Sequence, residues 1–307
     1  MRPRVRRHPP RWMATAVIVG VAATMGGCAA DASSSTPAEG TVHSRSESQS
    51  QPESQSRRLS DLSASSVFDY QLGGTYDSLP TGSGTSIDIV VRDAGAAPLT
   101  GAYSVCYVNG FQTQPDEADR WRDHEDLLLH DAAGNLVVDP EWPDEHILDP
   151  STAAQRSRIL DIIGPMIDGC ADRGFDAVEI DNLDTADRFP DIDRAGAMEL
   201  AAAYVDRAHG RGLAIAQKNA AELTRTAHDD LGFDFAVAEE CAAFAECDRY
   251  TDVYGDRVLA VEYPDTLAEA GLSFTDACTD PDRPPLMILR DRDLVVPDAT
   301  DYLFERC

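Results

Sequence analysis

The sequence predicts an α/β fold of the (β/α)8 TIM-barrel class, and three observations carry that expectation. Residues 67–307 hold eight short apolar runs rich in Val and Ile, separated by helix-period stretches such as 151–173 and 195–209. Several runs end in acid or amide: Val178-Glu179-Ile180-Asp181-Asn182, Ala216-Gln217-Lys218-Asn219, Val237-Ala238-Glu239-Glu240 and Val261-Glu262-Tyr263. In a parallel barrel the C-terminal strand ends open into one bowl, so these separate segments converge there. The stretch 67–307 also has close to the ~250 residues usual for one such barrel.

Taken in chain order, the first residues stand outside that fold. Arg2, Arg4, Arg6, Arg7 and Arg11 form a basic leader, and 12–25 is an apolar stretch too short to read as a membrane span. Gly26-Gly27-Cys28 then resembles a bacterial lipoprotein signal, cleaved before a lipidated Cys28, although Met25 stands where Leu is usual. Ordinary secretion is the competing reading, and both export the chain to the outer side of the cell membrane or beyond. Residues 29–66 are rich in Ser, Gln, Glu, Thr and Pro with almost no large apolar side chain, the composition of a flexible tether. The expected organisation is a signal over 1–28, a tether over 29–66 and a barrel domain over 67–307.

Within the domain, strands are expected at 68–72, 87–91, 102–108, 177–181, 214–218, 235–239, 258–262 and 286–289. An open doubly wound sheet is the rival, but its phosphate loop or dinucleotide fingerprint is missing from the sequence. Six cysteines fall in the domain, Cys106, Cys170, Cys241, Cys247, Cys278 and Cys307, and an even count in an exported chain points to three disulfides. Cys241 and Cys247 bracket one loop after the sixth strand and suit a local bridge. Cys106 with Cys170 and Cys278 with Cys307 follows chain order, with other pairings left open. The sequence has no C-x-x-C pair and no H-E-x-x-H helix to mark a zinc site. No motif asks for a cofactor or metal.

The formal net charge is −28, and the basic leader makes the domain more acidic still. Such a surface repels nucleic acid and anionic lipid and favours a cationic polymer as partner, leaving a membrane role only to the lipid anchor. The domain is expected to be a monomer. Lys218 is the single lysine, against 25 arginines. A compact ammonium at the mouth of strand five supplies rotatable donors that a planar guanidinium does not, or else simply pairs with Asp181 and tunes it.

Five segments together resemble one family. Tyr107-Val108-Asn109-Gly110-Phe111, Val178 through Asp184, Gly212 through Asn219, Ala238-Glu239-Glu240-Cys241 with Glu246-Cys247, and Val261-Glu262-Tyr263 are similar to glycoside hydrolase family 114, the endo-α-1,4-polygalactosaminidases. The likeness runs from about Tyr70 to the C-terminus. It implies hydrolysis of α-1,4-linked galactosamine polymers, with Asp181 and Glu239 as the matching catalytic pair. Glu239-Glu240 leaves a choice of one residue, since strand alternation turns only one of them to the bowl.

The chemistry agrees with that implication. Glycosidic cleavage needs one carboxyl to protonate the leaving oxygen and one carboxylate to attack or to activate water. With Lys218 beside it, Asp181 suits the nucleophile or base, and Glu239, enclosed by the Cys241–Cys247 loop, suits the proton donor. Substrate-facing candidates are Lys218, Asn219, Glu262, Tyr107, Asn109, Asp184, Glu240 and Trp142, the last in an acidic loop too polar for a core. Asp184 and Asp187 also suit capping and solvation, because their spacing from Asp181 does not match a calcium loop. The sequence has no G-x-S-x-G elbow for a serine esterase. His124, His130, His146, His209 and His228 lie in polar stretches and suit the surface. A tethered protein that binds a cationic amino-sugar polymer without cutting it is the alternative from another class.

Overall fold

The computed structural model describes residues 63–80 and 84–307; the expected signal, Cys28 and most of the tether lie outside the described residues. Eight parallel strands form the frame: β1 (Phe68–Gln71), β2 (Ile89–Asp93), β3 (Tyr103–Asn109), β4 (Ala177–Asp181), β5 (Ala214–Lys218), β6 (Phe235–Glu239), β7 (Val258–Glu262) and β8 (Leu286–Arg290). Each pairs with its neighbour in the chain, β1 on β2 through β7 on β8. The first and last come together through Arg290, which donates to the Asp69 carboxylate at 2.7 Å and to the Tyr70 carbonyl. All eight strands lie close to their expected places, which is the TIM-barrel arrangement.

Two additions escaped the sequence. β9 (Phe304–Arg306) pairs antiparallel with β8, and 78–79 pairs with 85–86 in a small hairpin. Both are short and polar, so neither has the apolar period that marks a strand.

The helices are unevenly distributed. α1 (Ala153–Arg173) and α2 (Arg194–Gly210) follow β3 and β4; α3 (Cys247–Tyr254) follows β6; α4 (Pro264–Ala270) and α5 (Phe274–Thr279) follow β7. Thr152 caps α1 by accepting from the Gln155 N–H, Gln155 reciprocates, and Gly174 ends the helix at φ 88°, a conformation in which a Cβ is costly. Among the described residues no α-helix covers the β1–β2 and β2–β3 connections. Cys106 of β3 is bonded to Cys170 of α1, Cys241 to Cys247 across the loop after β6, and Cys278 of α5 to the C-terminal Cys307. The first closes a long loop and removes about 4 kcal/mol of unfolded-state entropy by the chain-entropy relation.

Strand alternation sorts the buried side chains into two layers. Val108, Val178, Ile180 and Ile215 pack outward against Ile159, Ile163, Leu200 and Tyr204 of the helices. Phe68, Tyr70, Val105, Tyr107, Ala177, Ala216, Val237, Val261 and Tyr263 fill the barrel interior. Parity therefore sends Glu179 and Asp181 of β4, Lys218 of β5 and Glu239 of β6 into that interior, at its C-terminal mouth.

Candidate active site

Those four side chains meet on one nitrogen. Lys218 Nζ lies 3.3 Å from Glu179 Oε1, 3.5 Å from Asp181 Oδ2 and 3.1 Å from Glu239 Oε2. Glu179 is fully buried and Lys218 nearly so, whereas the Asp181 and Glu239 side chains keep 18% and 23% of their surface exposed, so a ligand reaches only the upper two acids. Burial works against the Lys218 charge, but Asp181, Glu239 and Glu179 outweigh it and hold the ammonium well above its ordinary value. Burial pushes the Glu179 carboxyl up to about 7; Lys218 pulls it down and Asp181 pushes it further up.

Three tyrosines supply further donors, one to each acid. Tyr70 donates to Glu179 at 2.9 Å, Tyr107 to Asp181 at 2.7 Å and Tyr263 to Glu239 at 2.5 Å. The Lys218 ammonium also stands 5.6 Å from the ring centres of both Tyr70 and Tyr107, a cation–π arrangement. Asp181 accepts from the Asn182 N–H at 2.7 Å, and the Asn219 amide spans Glu239, accepting from its N–H at 2.8 Å and donating to its carboxylate at 3.5 Å.

The chain leaves each of these strands through a left-handed residue. Asn182 follows Asp181 at φ 66°, Asn219 and Ala220 follow Lys218 at 52° and 62°, and Glu240 follows Glu239 at 65°. Asn tolerates this region, but Ala and Glu are disfavoured there by about 1–3 kcal/mol each. The turn after β5 is held locally: Gln217 donates to the Asn219 carbonyl at 2.7 Å and the Ala220 carbonyl at 3.0 Å.

Several expected roles change. Lys218 sits beneath both acids, nearer Glu239 than Asp181, so it does not single out one of them by charge. Glu240 is 2% exposed, stands beyond the end of β6 at φ 65° and pairs with Arg292 at 2.7 Å. Glu262, of outward parity, is fully buried and accepts from the Ala242 and Ala243 N–H groups at 2.8 and 3.4 Å, so it anchors the Cys241–Cys247 loop. The nearby Cys241, Cys247 and Glu262 are not a metal set, because the disulfide removes both thiolates. Asn109 is buried and accepts from the Gln112 N–H at 2.9 Å, shaping a turn. Asp184 pairs with Arg188 at 3.0 Å, and Trp142 is half-buried in the long β3–α1 loop, its carbonyl accepting from the Glu145 N–H. A cavity of about 400 Å³ lies in that loop, lined by Trp121, Leu128, Leu136 and His146, and none of the four charged residues lines it.

Tyr70 and Glu179 were missed as site residues. Glu179 had a signal, since it lies two residues before Asp181 and shares its face. Tyr70 had none, because it arrives from β1, across the barrel.

A family model described as glycoside-hydrolase family GH114 matches residues 47–307. Among solved structures, the crystal structure of Aspergillus fumigatus Ega3 in complex with galactosamine is similar at TM-score 0.60 and 21% identity, covering 79% of this chain and 95% of that one. The glycoside hydrolase domain of PelA from Pseudomonas aeruginosa is similar at TM-score 0.50 and 15% identity, covering 78% and 98%. These two likenesses are ones of fold. No curated protein matches the chain.

Proposed function

The chain belongs to glycoside-hydrolase family GH114, and from that membership and the bridged acid pair we propose that it cleaves α-1,4-linked galactosamine polymers with Asp181 and Glu239 as catalytic carboxylates. The observation that carries the proposal is the sharing of one ammonium by two part-exposed acids from different strands, at 3.5 and 3.1 Å. Two oxygens held on one nitrogen at those distances stand no further apart than the short end of the ~6.5–9.5 Å range of inverting enzymes, on the side of the ~5–5.5 Å retaining pairs. In the proposed course Asp181 attacks the anomeric carbon as Glu239 gives its proton to the leaving oxygen; water then enters, returns a proton to Glu239 and frees Asp181. A phenol and the ammonium serve both acids alike, and the Asn182 N–H donated to the Asp181 carboxylate at 2.7 Å favours Asp181 as the attacking group.

The substrate class has independent support. Three carboxylates face one ammonium in the site, and the chain carries net charge −28, both of which favour a cationic amino sugar. The galactosamine in the Ega3 complex is the same class of ligand. We also propose export through the leader, anchoring through a lipid on Cys28 and a 29–66 tether; the three disulfides suit an oxidising compartment.

The test is release of new reducing ends from polygalactosamine by the purified chain. Glu239→Gln should lose far less activity on a substrate whose leaving group needs no proton than on the polymer, and Asp181→Asn should lose both. Binding of the polymer without any new reducing ends would mark the chain as a non-cutting binder.

A further inference from the structure

Glu179 takes no bond to substrate in this reading, yet it is an acid at a fully buried position where packing alone asks for none. Its Oε1 accepts from Tyr70 at 2.9 Å and from Lys218 at 3.3 Å, and its Oε2 has no hydrogen-bond partner. Tyr70 OH is in turn 3.1 Å from Lys218 Nζ, so phenol, acid and ammonium close a triangle under the catalytic pair. An ionised carboxylate there costs several kcal/mol in desolvation, and a glutamine of the same shape would not.

The reaction proposed above moves charge across this triangle. When an Asp181 oxygen bonds to the anomeric carbon and the glycosidic C–O bond breaks, Asp181 becomes a neutral ester. The Glu239 proton passes to the leaving oxygen, and Glu239 becomes the carboxylate. Lys218 thereby loses one counter-ion and gains another. We propose that Glu179 is a positioning residue that, with Tyr70, fixes the Lys218 ammonium between Asp181 and Glu239 while the charge passes from one to the other. This rests on the Asp181–Glu239 reading for its chemistry.

The groups facing Glu179 are Tyr70 from β1, Tyr107 from β3, Asp181 on its own strand, Lys218 from β5, Glu239 from β6 and Tyr263 after β7. Burial above all, then neighbouring acid, holds the three phenols well above their ordinary values, so they stay neutral while the acids titrate. Glu179, pushed up to about 7, is the buried acid of the set.

Because Lys218 is the only lysine, isotope-labelled lysine gives one side-chain resonance set that reports on this cluster without any turnover. In the full chain those shifts should step near pH 7; Glu179→Gln should remove the Glu179 part of the step, leaving only what Glu239 contributes, and Asp181→Asn should keep both. Glu179→Gln should lower kcat about 100-fold, the scale of a misplaced catalytic geometry, with KM little changed. The alkaline limb of kcat/KM should move to lower pH, since losing a neighbouring negative charge eases ionisation of the proton donor. Glu179→Asp should restore part of both effects. Tyr70→Phe, which keeps the ring, should shift the profile in the same direction by less, and decides the matter if Glu179→Gln does not fold. A lysine signal and pH profile identical to the parent's in the folded variants would overturn the proposal. A parent that releases no reducing ends would instead count against the function, leaving the lysine titration to judge Glu179.

Discussion

Two buried charged networks meet at β1, and they differ in one respect that matters. Asp69 binds Arg290 at 2.7 Å and Gln71 at 2.9 Å, while Arg92 binds Gln71 at 3.0 Å and the carbonyls of Tyr76 and Ala97. Arg290 spends its other donors on the carbonyls of Tyr70, Val295 and Leu303. There each guanidinium has its own carboxylate, Arg290 on Asp69 and Arg92 on Asp77 at 3.3 Å, and their other donors find carbonyls or Gln71, so the network joins β1 to β8 and its donors are spent within the fold. The next residue, Tyr70, belongs to the other network, where three carboxylates share one ammonium and two of them reach solvent. Balanced burial serves the fold; unbalanced burial leaves charge for chemistry.

The sharpest way to separate the two is to delete one acid or base from each. Asp181→Asn should cut hydrolysis by about 10²- to 10⁴-fold with the thermal midpoint unchanged or raised, because it relieves crowding of like charge. Arg290→Met should do the reverse, costing about 3–5 kcal/mol of stability by stranding Asp69 while the residual folded enzyme turns over normally. Denaturant unfolding and reducing-end assays on both variants check the pair. If Arg290→Met were as stable as the parent, the closing role of the first network would fail.

A second deletion in the balanced network sharpens this further. Asp69→Leu with Arg290→Met should recover part of the loss, since no charge is left stranded, but not all, because three carbonyls still lack their donor. A double variant no more stable than Arg290→Met alone would mean that the carbonyl bonds carry the whole effect.

Smaller still is a pH effect at Glu262, which belongs to neither network. Burial pushes its carboxyl up to about 7 from 4.5, against the N–H groups of Ala242 and Ala243. Between those values the unfolded chain has released a proton that the folded chain keeps, so this group makes stability fall as pH rises, by up to ~1.4 kcal/mol per pH unit. Glu262→Gln should flatten stability across that window relative to the parent, measured by denaturant melts at pH 4.5 to 7. The smallest effect is expected at Glu240→Gln, which loses an ion pair to Arg292 outside the bowl: about 1 kcal/mol of stability and little activity.

Much of this molecule is legible from local pattern. Eight Val- and Ile-rich runs announced eight strands, and period-2 alternation puts Glu179 on the same face of β4 as Asp181, because side-chain direction along a strand is decided by the strand itself; which face of β7 looks inward was not legible, and Glu262 was expected in the bowl. The rule reaches only as far as Glu239, the last residue of β6, because Glu240 beyond it stands at φ 65°. What the chain could not declare in advance is which inward groups touch. Tyr70 reaches Glu179 and Lys218 across separations of 109 and 148 residues, and Arg290 reaches Asp69 across 221. Those meetings depend on the curvature that brings β1 against β8 and on the stagger that lifts Lys218 to the height of three acids. Only the curled sheet decides that one lysine serves both catalytic candidates, because charge pairing is a property of distance in space and not of position along the chain.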